Sequence, residues 1–242
     1  MGEGRSPLSL QGEGSGVGVR AGLPASCSGS AFEVDRTVGL PPSIPPPEGE
    51  GRLSALLTQI RACRACTGEL PHGPRPVVQV AAGTRILISG QAPGRRVHES
   101  GLPFDDPSGD RLRGWLGIDR ETFYGDARIG VAGMAFCFPG TNPKGGDYPP
   151  PRRCAQLWRE PLLAELPDVE LHLLVGSYAI DWELGRRSGS MTEVVAGWRA
   201  HAPRVIPLPH PSWRNTAWLK RNPWFEEDVA PYLRLRVAEI LA

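Results

Sequence analysis

Residues 85–94 read Arg-Ile-Leu-Ile-Ser-Gly-Gln-Ala-Pro-Gly, an apolar run of strand length that ends in a turn containing glycine and proline. Three more short apolar runs, over 129–136, 171–176 and 205–208, have the same form, and stretches with helical spacing separate them. Strands that alternate with helices predict a parallel sheet covered by helices on both faces. We therefore expect an α/β fold, a three-layer α/β/α sandwich around a central, four-stranded, mostly parallel sheet.

Apolar residues at helical spacing predict the helices that cover this sheet. The first helix is indicated by Leu53, Leu56, Leu57 and Ile60, which recur at the spacing of one helix face. The others are expected near 108–117, 153–165, 177–184 and 191–199, with a last one after Pro223.

The first 50 residues differ from the rest of the chain. They contain Gly-Glu-Gly-Ser-Gly early and Pro-Pro-Ser-Ile-Pro-Pro-Pro later, with few large apolar side chains. Such a composition cannot bury enough surface to offset the entropy lost on ordering. We expect a disordered Gly/Ser/Pro-rich N-terminal extension over 1–50, or a start codon assigned too far upstream. Residues 51–242 are long enough to bury the core of one domain.

The charge balance is close to neutral, with a formal net charge of +1. Residues 51–242 carry 24 basic and 20 acidic side chains. This mild positive bias is compatible with binding to nucleic acid but is not diagnostic of it. The chain contains no apolar run of the roughly 18–20 residues that span a membrane, and no secretion-signal pattern at its start. We expect a cytoplasmic protein with no membrane partner.

Four of the five cysteines form a candidate metal site. Cys63 and Cys66 are two residues apart, so one turn can present both thiols to one centre, and Cys137 and Cys154 can complete a set of four sulfur ligands. Zinc and an iron–sulfur cluster both accept four thiolates, so the spacing does not choose between them. Four unrelated buried cysteines are the alternative. A thioredoxin-like redox pair fits less well, because Cys63 does not follow a strand in a βαβ pattern.

Each predicted strand ends in a loop of unusual composition. These loops are Gly-Gln-Ala-Pro-Gly at 90–94, Cys-Phe-Pro-Gly at 137–140, Gly-Ser-Tyr at 176–178 and Pro-His-Pro-Ser at 209–212. Ligands of open α/β sheets bind outside the carboxyl ends of the strands, so a pocket is expected at this edge. An ordinary tight turn is the alternative for 90–94, and a core histidine with satisfied hydrogen bonds is the alternative for His210.

These motifs in their order resemble the uracil-DNA glycosylase superfamily. The resemblance extends over about residues 51–235 and is carried by 90–94, by Gly-Leu-Pro-Phe at 101–104 and by His-Pro-Ser at 210–212. The most similar group is the iron–sulfur, family 4-like enzymes, whose ligand order the four cysteines match. The resemblance therefore implies a [4Fe-4S] cluster held by Cys63, Cys66, Cys137 and Cys154, with zinc as the alternative.

What the resemblance implies is excision of uracil or another deaminated base that is flipped out of DNA. His210 would donate a hydrogen bond to the leaving base as negative charge builds on it. Phe104 would stack on that base, while the backbone at Gln91 would hold the attacking water. The implied catalytic residues are Gln91 and His210, and the implied substrate-binding residues are Gly90, Ala92, Pro93, Gly94, Phe104 and Ser212.

The segment after His210 has the composition of a DNA-binding loop. The residues expected to contact DNA are Ser212, Trp213, Arg214, Asn215 and Lys220. They combine an aromatic wedge, which can enter the space left by a flipped base, with phosphate-binding donors and cations. The alternative is a solvated helix start with the tryptophan packed inward. Trp218 and Trp224 are expected in the core.

Two departures from the family pattern bear on the substrate. The turn at 90–94 has no carboxylate to activate water, and the nearby Glu99, Asp105 and Asp106 are typical of a solvated surface. The run 129–136 lacks the asparagine with which related enzymes read uracil, and loss of such a group weakens discrimination. A catalytically weak or inactive module that binds DNA is therefore the alternative function. A zinc-stabilised enzyme acting on small nucleotides is a third. We expect a monomer.

Overall fold

The structure, a computed structural model, describes residues 50–185 and 189–242. The disorder predicted for the N-terminal extension concerns residues that lie outside this part of the chain, apart from Glu50. Four strands form one sheet: β1 (Ile86–Ser89), β2 (Ile129–Val131), β3 (Leu171–Val175) and β4 (Val205–Leu208). Their order is β2-β1-β3-β4, and all three neighbouring pairs are parallel. The predicted four-stranded sheet is confirmed, and the described strands are entirely parallel.

Helices surround the sheet and follow the predicted positions closely. They are α1 (Glu50–Ala62), α2 (Arg95–Ser100), α3 (Pro107–Leu116), α4 (Arg120–Gly125), α5 (Arg152–Ala164), α6 (Ser177–Glu183), α7 (Met191–Ala196), α8 (Thr216–Arg221) and α9 (Ala230–Leu241). The sequence patterns missed the six-residue helices α2, α4 and α8, because a helix of that length has too few apolar positions to show periodicity. The helix expected after Pro223 continues through a π-helical turn, Phe225–Val229, into α9.

The predicted strand over 129–136 is shorter than expected and ends at Val131. The backbone bends at Met134, and the N–H groups of Met134 and Ala135 donate to the loop after β1 instead of continuing the ladder. Met134 N donates to Gly90 O at 2.8 Å, and Ala135 N donates to Gln91 O at 3.0 Å. The loops after β1 and β2 are therefore joined by backbone hydrogen bonds.

Strand alternation divides the core into two layers. Ile86 and Ile88 of β1 belong to a cluster that includes α3 and α9 residues, whereas Leu87 belongs to a second cluster with residues of α1 and α5. This arrangement is the expected three-layer α/β/α sandwich. Among the described residues, no helix is long and apolar enough to cross a membrane.

Candidate active site

A cleft of about 740 Å³ opens at the edge of the sheet where the carboxyl ends of the strands lie. Eleven of the predicted catalytic, substrate-binding and DNA-binding residues line it: Gly90, Gln91, Ala92, Pro93, Gly94, Phe104, His210, Ser212, Trp213, Arg214 and Asn215. Lys220 lies in α8 and is not part of the lining. The loops that follow β1, β2 and β4 thus contribute to one concave surface.

His210 is oriented by its own loop. The backbone N–H of Ser212 donates to His210 Nδ1 at 3.2 Å, and the side-chain amide of Asn215 donates to the His210 carbonyl at 2.7 Å. Because Nδ1 accepts a hydrogen bond, the proton of the neutral ring lies on Nε2. Burial lowers the pKa of His210, and the charge of Asp106 opposes this shift. The ring is therefore a neutral donor whose Nε2–H is available to a ligand.

Phe104 is held in an uncommon backbone conformation, with φ of 55°. Its ring packs over Gly90, where an added Cβ would lie 3.3 Å from the ring. Gly109 in α3 makes this position accessible, since a Cβ there would lie 1.7 Å from the Phe104 carbonyl oxygen. Arg113 donates to the same carbonyl at 3.3 Å and pairs with Asp110 at 2.6 Å. These contacts fix the aromatic ring beside the turn after β1.

Gln91 connects the turn after β1 to a loop that the sequence motifs did not single out. Its side-chain amide donates to the carbonyl of Tyr148 at 3.2 Å. The loop before Tyr148 closes on itself through an isolated bridge between Thr141 and Asp147, and it lines the cleft through Thr141, Gly145, Gly146 and Asp147. The signal that sequence reasoning passed over is the Gly-Gly-Asp run at 145–147, which resembles an ordinary surface turn.

Two aspartates line the cleft, and only one of them was considered in the sequence. Asp106 caps α3, accepting from the backbone N–H of Gly109 at 2.9 Å. Asp147 lies on the loop before Tyr148. Glu99 and Asp105 are not in the lining, and Asp105 pairs with Arg120 at 2.8 Å.

Trp213 is exposed, with 74% of its surface accessible. The guanidinium of Arg214 lies 5.4 Å from the centre of its ring. The alternative in which this tryptophan packs inward is therefore wrong. Trp218 and Trp224 are half-buried against the core and contact Phe225 edge-on, as expected.

A buried arginine lies beneath the floor of the cleft. Arg159 of α5 is 3% exposed and pairs with Glu183 at 2.7 Å. Its guanidinium also donates to Ser89 Oγ at 2.6 Å, to the Ala132 carbonyl at 3.1 Å and to His172 Nε2 at 2.9 Å. Ser89 and Ala132 immediately precede the two loops that form the floor. No sequence motif indicated this network, because its members are far apart in the chain.

The four cysteines line a separate cavity of about 20 Å³ whose other walls are mainly apolar. Burial raises the pKa of Cys137 to about 11 and that of Cys154 to about 12, and the backbone N–H of Phe136 donates to Cys154 Sγ at 3.4 Å. Soft sulfur donors from the turn after α1, from the loop after β2 and from α5 suit zinc or an iron–sulfur group. Within 50–185 and 189–242, no three His, Cys, Asp or Glu side chains are grouped closely enough to hold one metal ion. The four thiols line the same cavity, but they do not form a closed coordination shell.

Comparison with known proteins identifies the family. The model of the uracil DNA glycosylase superfamily matches residues 77–234. Among solved structures, the solution NMR structure of a candidate uracil DNA glycosylase from Methanosarcina acetivorans matches with 18% sequence identity and a TM-score of 0.42, covering 67% of this chain and 97% of that chain. The span matched by the family model contains the turn after β1, Phe104 and His210, which build the cleft. The chain therefore belongs to the uracil DNA glycosylase superfamily.

Proposed function

We propose that this protein is a DNA glycosylase that hydrolyses the bond between a flipped, deaminated base and its sugar. The observation that carries the proposal is the orientation of His210 on the wall of the cleft, with Nδ1 held by Ser212 and with Nε2–H bonded to none of the described residues. In the same cleft, Phe104 presents an aromatic ring beside Gly90. A flipped base stacked on Phe104 would lie within a site that also contains a neutral hydrogen-bond donor.

The chemistry requires stabilisation of negative charge on the leaving base. As the bond from C1′ to the base breaks, the electron pair goes to the base and the sugar acquires oxocarbenium character. A preorganised donor stabilises such developing charge more strongly than water does, because it needs no reorganisation. His210 serves this purpose as a neutral ring, since the bond from Ser212 to Nδ1 fixes which nitrogen carries the proton.

The mouth of the cleft has the character of a DNA-binding surface. Trp213 is exposed beside Arg214, and Arg96 also lines the cleft. An exposed aromatic side chain can enter the space left by an extruded base, while arginines bind the flanking phosphates. The proposal therefore assigns Trp213 as the wedge and Arg214 as a phosphate contact. Lys220 lies outside the cleft lining, and the proposal assigns it as a contact to the backbone of the flanking DNA.

Uracil is one candidate base, but the cleft floor offers no side-chain amide from the segment after β2. Val131, Gly133 and Ala135 are the residues of 129–136 in the cleft lining. A side chain at Gly133 would also be obstructed, since its Cβ would lie 2.9 Å from the Ala135 carbonyl oxygen. The proposed substrate class is therefore deaminated bases, read in part by backbone groups.

We assign the four cysteines as ligands of a [4Fe-4S] cluster, which would place the protein with the iron–sulfur enzymes of the family. The support is the convergence of Cys63, Cys66, Cys137 and Cys154 on one mainly apolar cavity. When bound, the cluster supplies a structural tie between the turn after α1, the loop after β2 and α5. Broad absorbance near 400 nm (roughly as iron–sulfur proteins show) supports this assignment, and a colourless, zinc-containing protein contradicts it. The Cys63→Ala variant should fold poorly.

The test of the function is base excision from defined oligonucleotides. Purified protein is incubated with single- and double-stranded DNA containing uracil, hypoxanthine or xanthine, and abasic product is measured. His210→Ala should lower the rate by about 10²–10³-fold, the usual cost of one donor to a developing anion. Binding to lesion-containing DNA without product above the His210→Ala background would instead support the inactive DNA-binding module.

A further inference from the structure

The cleft contains a carboxylate that the sequence motifs do not supply. The turn at 90–94 has none, yet Asp147 reaches the same site from the loop before Tyr148. Its Oδ2 lies 3.5 Å from the position that a Cβ on Gly94 would occupy. The carboxylate therefore lies beside the turn after β1, in the cleft that His210 also lines.

The loop that carries Asp147 is well anchored. Asn142 N donates to the Gly146 carbonyl at 2.7 Å, and Tyr148 N donates to the Gly140 carbonyl at 2.9 Å. The carbonyl of Tyr148 in turn accepts the side-chain amide of Gln91 at 3.2 Å. Asp147 is thus held on a closed loop that is hydrogen-bonded to the motif it faces.

Asp106, the other cleft aspartate, is committed to a structural role. It is the N-cap of α3 and accepts from the Gly109 N–H, and removal of such a cap typically costs about 1 kcal/mol. Asp147 caps none of the helices in the described part of the chain. Of the two carboxylates, Asp147 is the one available to a substrate or a water molecule.

We propose that Asp147 is the general base that activates the attacking water. This inference rests on the proposed glycosylase function. The water oxygen forms a bond to C1′ as the bond from C1′ to the base breaks. One proton of the water passes to the Asp147 carboxylate, and the electron pair of the broken bond leaves with the base, whose negative charge is stabilised by His210 Nε2–H. Asp147 then acts on the water and His210 acts on the leaving base, and the two side chains come from different loops.

The charges around Asp147 suit this role. Packing against the cleft wall removes part of its hydration and raises its pKa, although the side chain stays open to the cleft. Arg214 and Arg95 oppose this shift, whereas Asp106 adds to it. A carboxylate with a raised pKa is a stronger base than one on the open surface while it remains ionised.

The test is single-turnover excision by the full chain carrying Asp147→Asn, with the oligonucleotide that the wild-type protein cleaves best. The rate at saturating protein should fall by about 10²-fold or more, the usual contribution of a general base, while the dissociation constant for DNA stays within about threefold. Glu99→Gln is the matched control, because Glu99 lies near the motif but outside the cleft lining, and it should leave the rate unchanged.

The pH profile separates catalysis from a structural role. The wild-type rate should fall as the pH is lowered through the pKa of Asp147, and this fall should be missing from Asp147→Asn. A variant as fast as the wild type, or one that only binds DNA more weakly, overturns the inference and leaves the glycosylase function intact. If the wild-type protein excises no base, both proposals fall. Far-ultraviolet circular dichroism checks that the variant is folded.

Discussion

Two arginines at one edge of the sheet form ion pairs, whereas two arginines in the cleft at the other edge do not. At the edge where the strands begin, Arg85 pairs with Glu170 at 2.5 Å, and Arg128 pairs with Asp126 at 2.8 Å. At the edge where the strands end, Arg96 and Arg214 line the cleft, and neither forms an ion pair with any of the described residues. A cation without a protein carboxylate remains available to a polyanion. Under the proposed function, Arg96 and Arg214 are the cations of the cleft that would meet the phosphates of DNA.

Replacement of a buried arginine under the cleft should have the largest effect. Arg159→Met leaves Glu183 charged and largely enclosed, so the free energy of unfolding should fall by about 3–5 kcal/mol. The matched change at the opposite edge, Arg85→Met, breaks a half-exposed pair and should cost about 0–1 kcal/mol. Urea denaturation measures both. Equal losses would show that the two edges do not differ in this respect.

A second contrast can be drawn within α3, whose first turn faces the cleft. Gly109→Ala places a Cβ 1.7 Å from the Phe104 carbonyl, so stability should fall by about 1–3 kcal/mol and excision should slow as Phe104 is displaced. Gly114→Ala meets no atom within 4 Å and should stabilise the helix by up to about 1 kcal/mol. Thermal unfolding and excision assays on both variants check this. A neutral Gly109→Ala would contradict the close packing.

The pH dependence of stability should report on His172. Burial, followed by the charge of Arg159, lowers its pKa from 6.5 to about 3, so the unfolded chain takes up the proton first as the pH falls. The stability that the neutral His172 ring contributes is fully present above about pH 6.5. It is lost between about pH 6.5 and 3, by at most about 1.4 kcal/mol per pH unit. In His172→Gln the free energy of unfolding should depend less steeply on pH over this range. An unchanged slope would exclude His172 as the cause.

The smallest expected effect concerns the salt dependence of DNA binding. Raising the salt from 50 to 200 mM weakens DNA binding, and each phosphate contact adds to this loss of affinity. If Arg214 contacts a phosphate, the loss should be about three- to fourfold smaller for Arg214→Ala than for the wild type. Arg204→Ala, at the opposite edge of the sheet, should behave like the wild type. Fluorescence anisotropy at several salt concentrations measures both slopes. Equal changes in the two variants would mean that the edges contribute alike.

Local patterns were sufficient to predict the sheet and one side of the cleft. The run at 85–94 and the His-Pro-Ser motif at 210–212 each encode a strand end and a loop within a few residues, and both lie where expected. The sequence predicts too long a strand over 129–136, because the apolar run continues to Phe136 although β2 ends at Val131 and the backbone bends at Met134. Apolar residues indicate that a segment is buried. A turn that packs against a neighbouring loop is buried in the same way as a strand, so the apolar pattern does not distinguish the two.

The remaining parts of the site depend on contacts between distant segments. Asp147 enters the cleft only because its loop folds back onto Gln91, and the partners of Arg159 are spread from Ser89 to Glu183. Neither arrangement has a spacing that a single sequence can reveal. The cysteine pattern was visible, and its role as a cluster site remains a prediction.

The Arg159 network also bears on how the chain reaches its native state. Its partners Ser89, Ala132, His172 and Glu183 come from four separate segments, so no local fragment satisfies the guanidinium. A partly assembled sheet would enclose a charge with missing partners, at a cost of several kcal/mol. Intermediates are penalised in this way, and assembly of the sheet becomes more cooperative. Completion of the Arg159 network also fixes Ser89 and Ala132, which immediately precede the two loops of the cleft floor. Folding of the sheet therefore positions these loops as well.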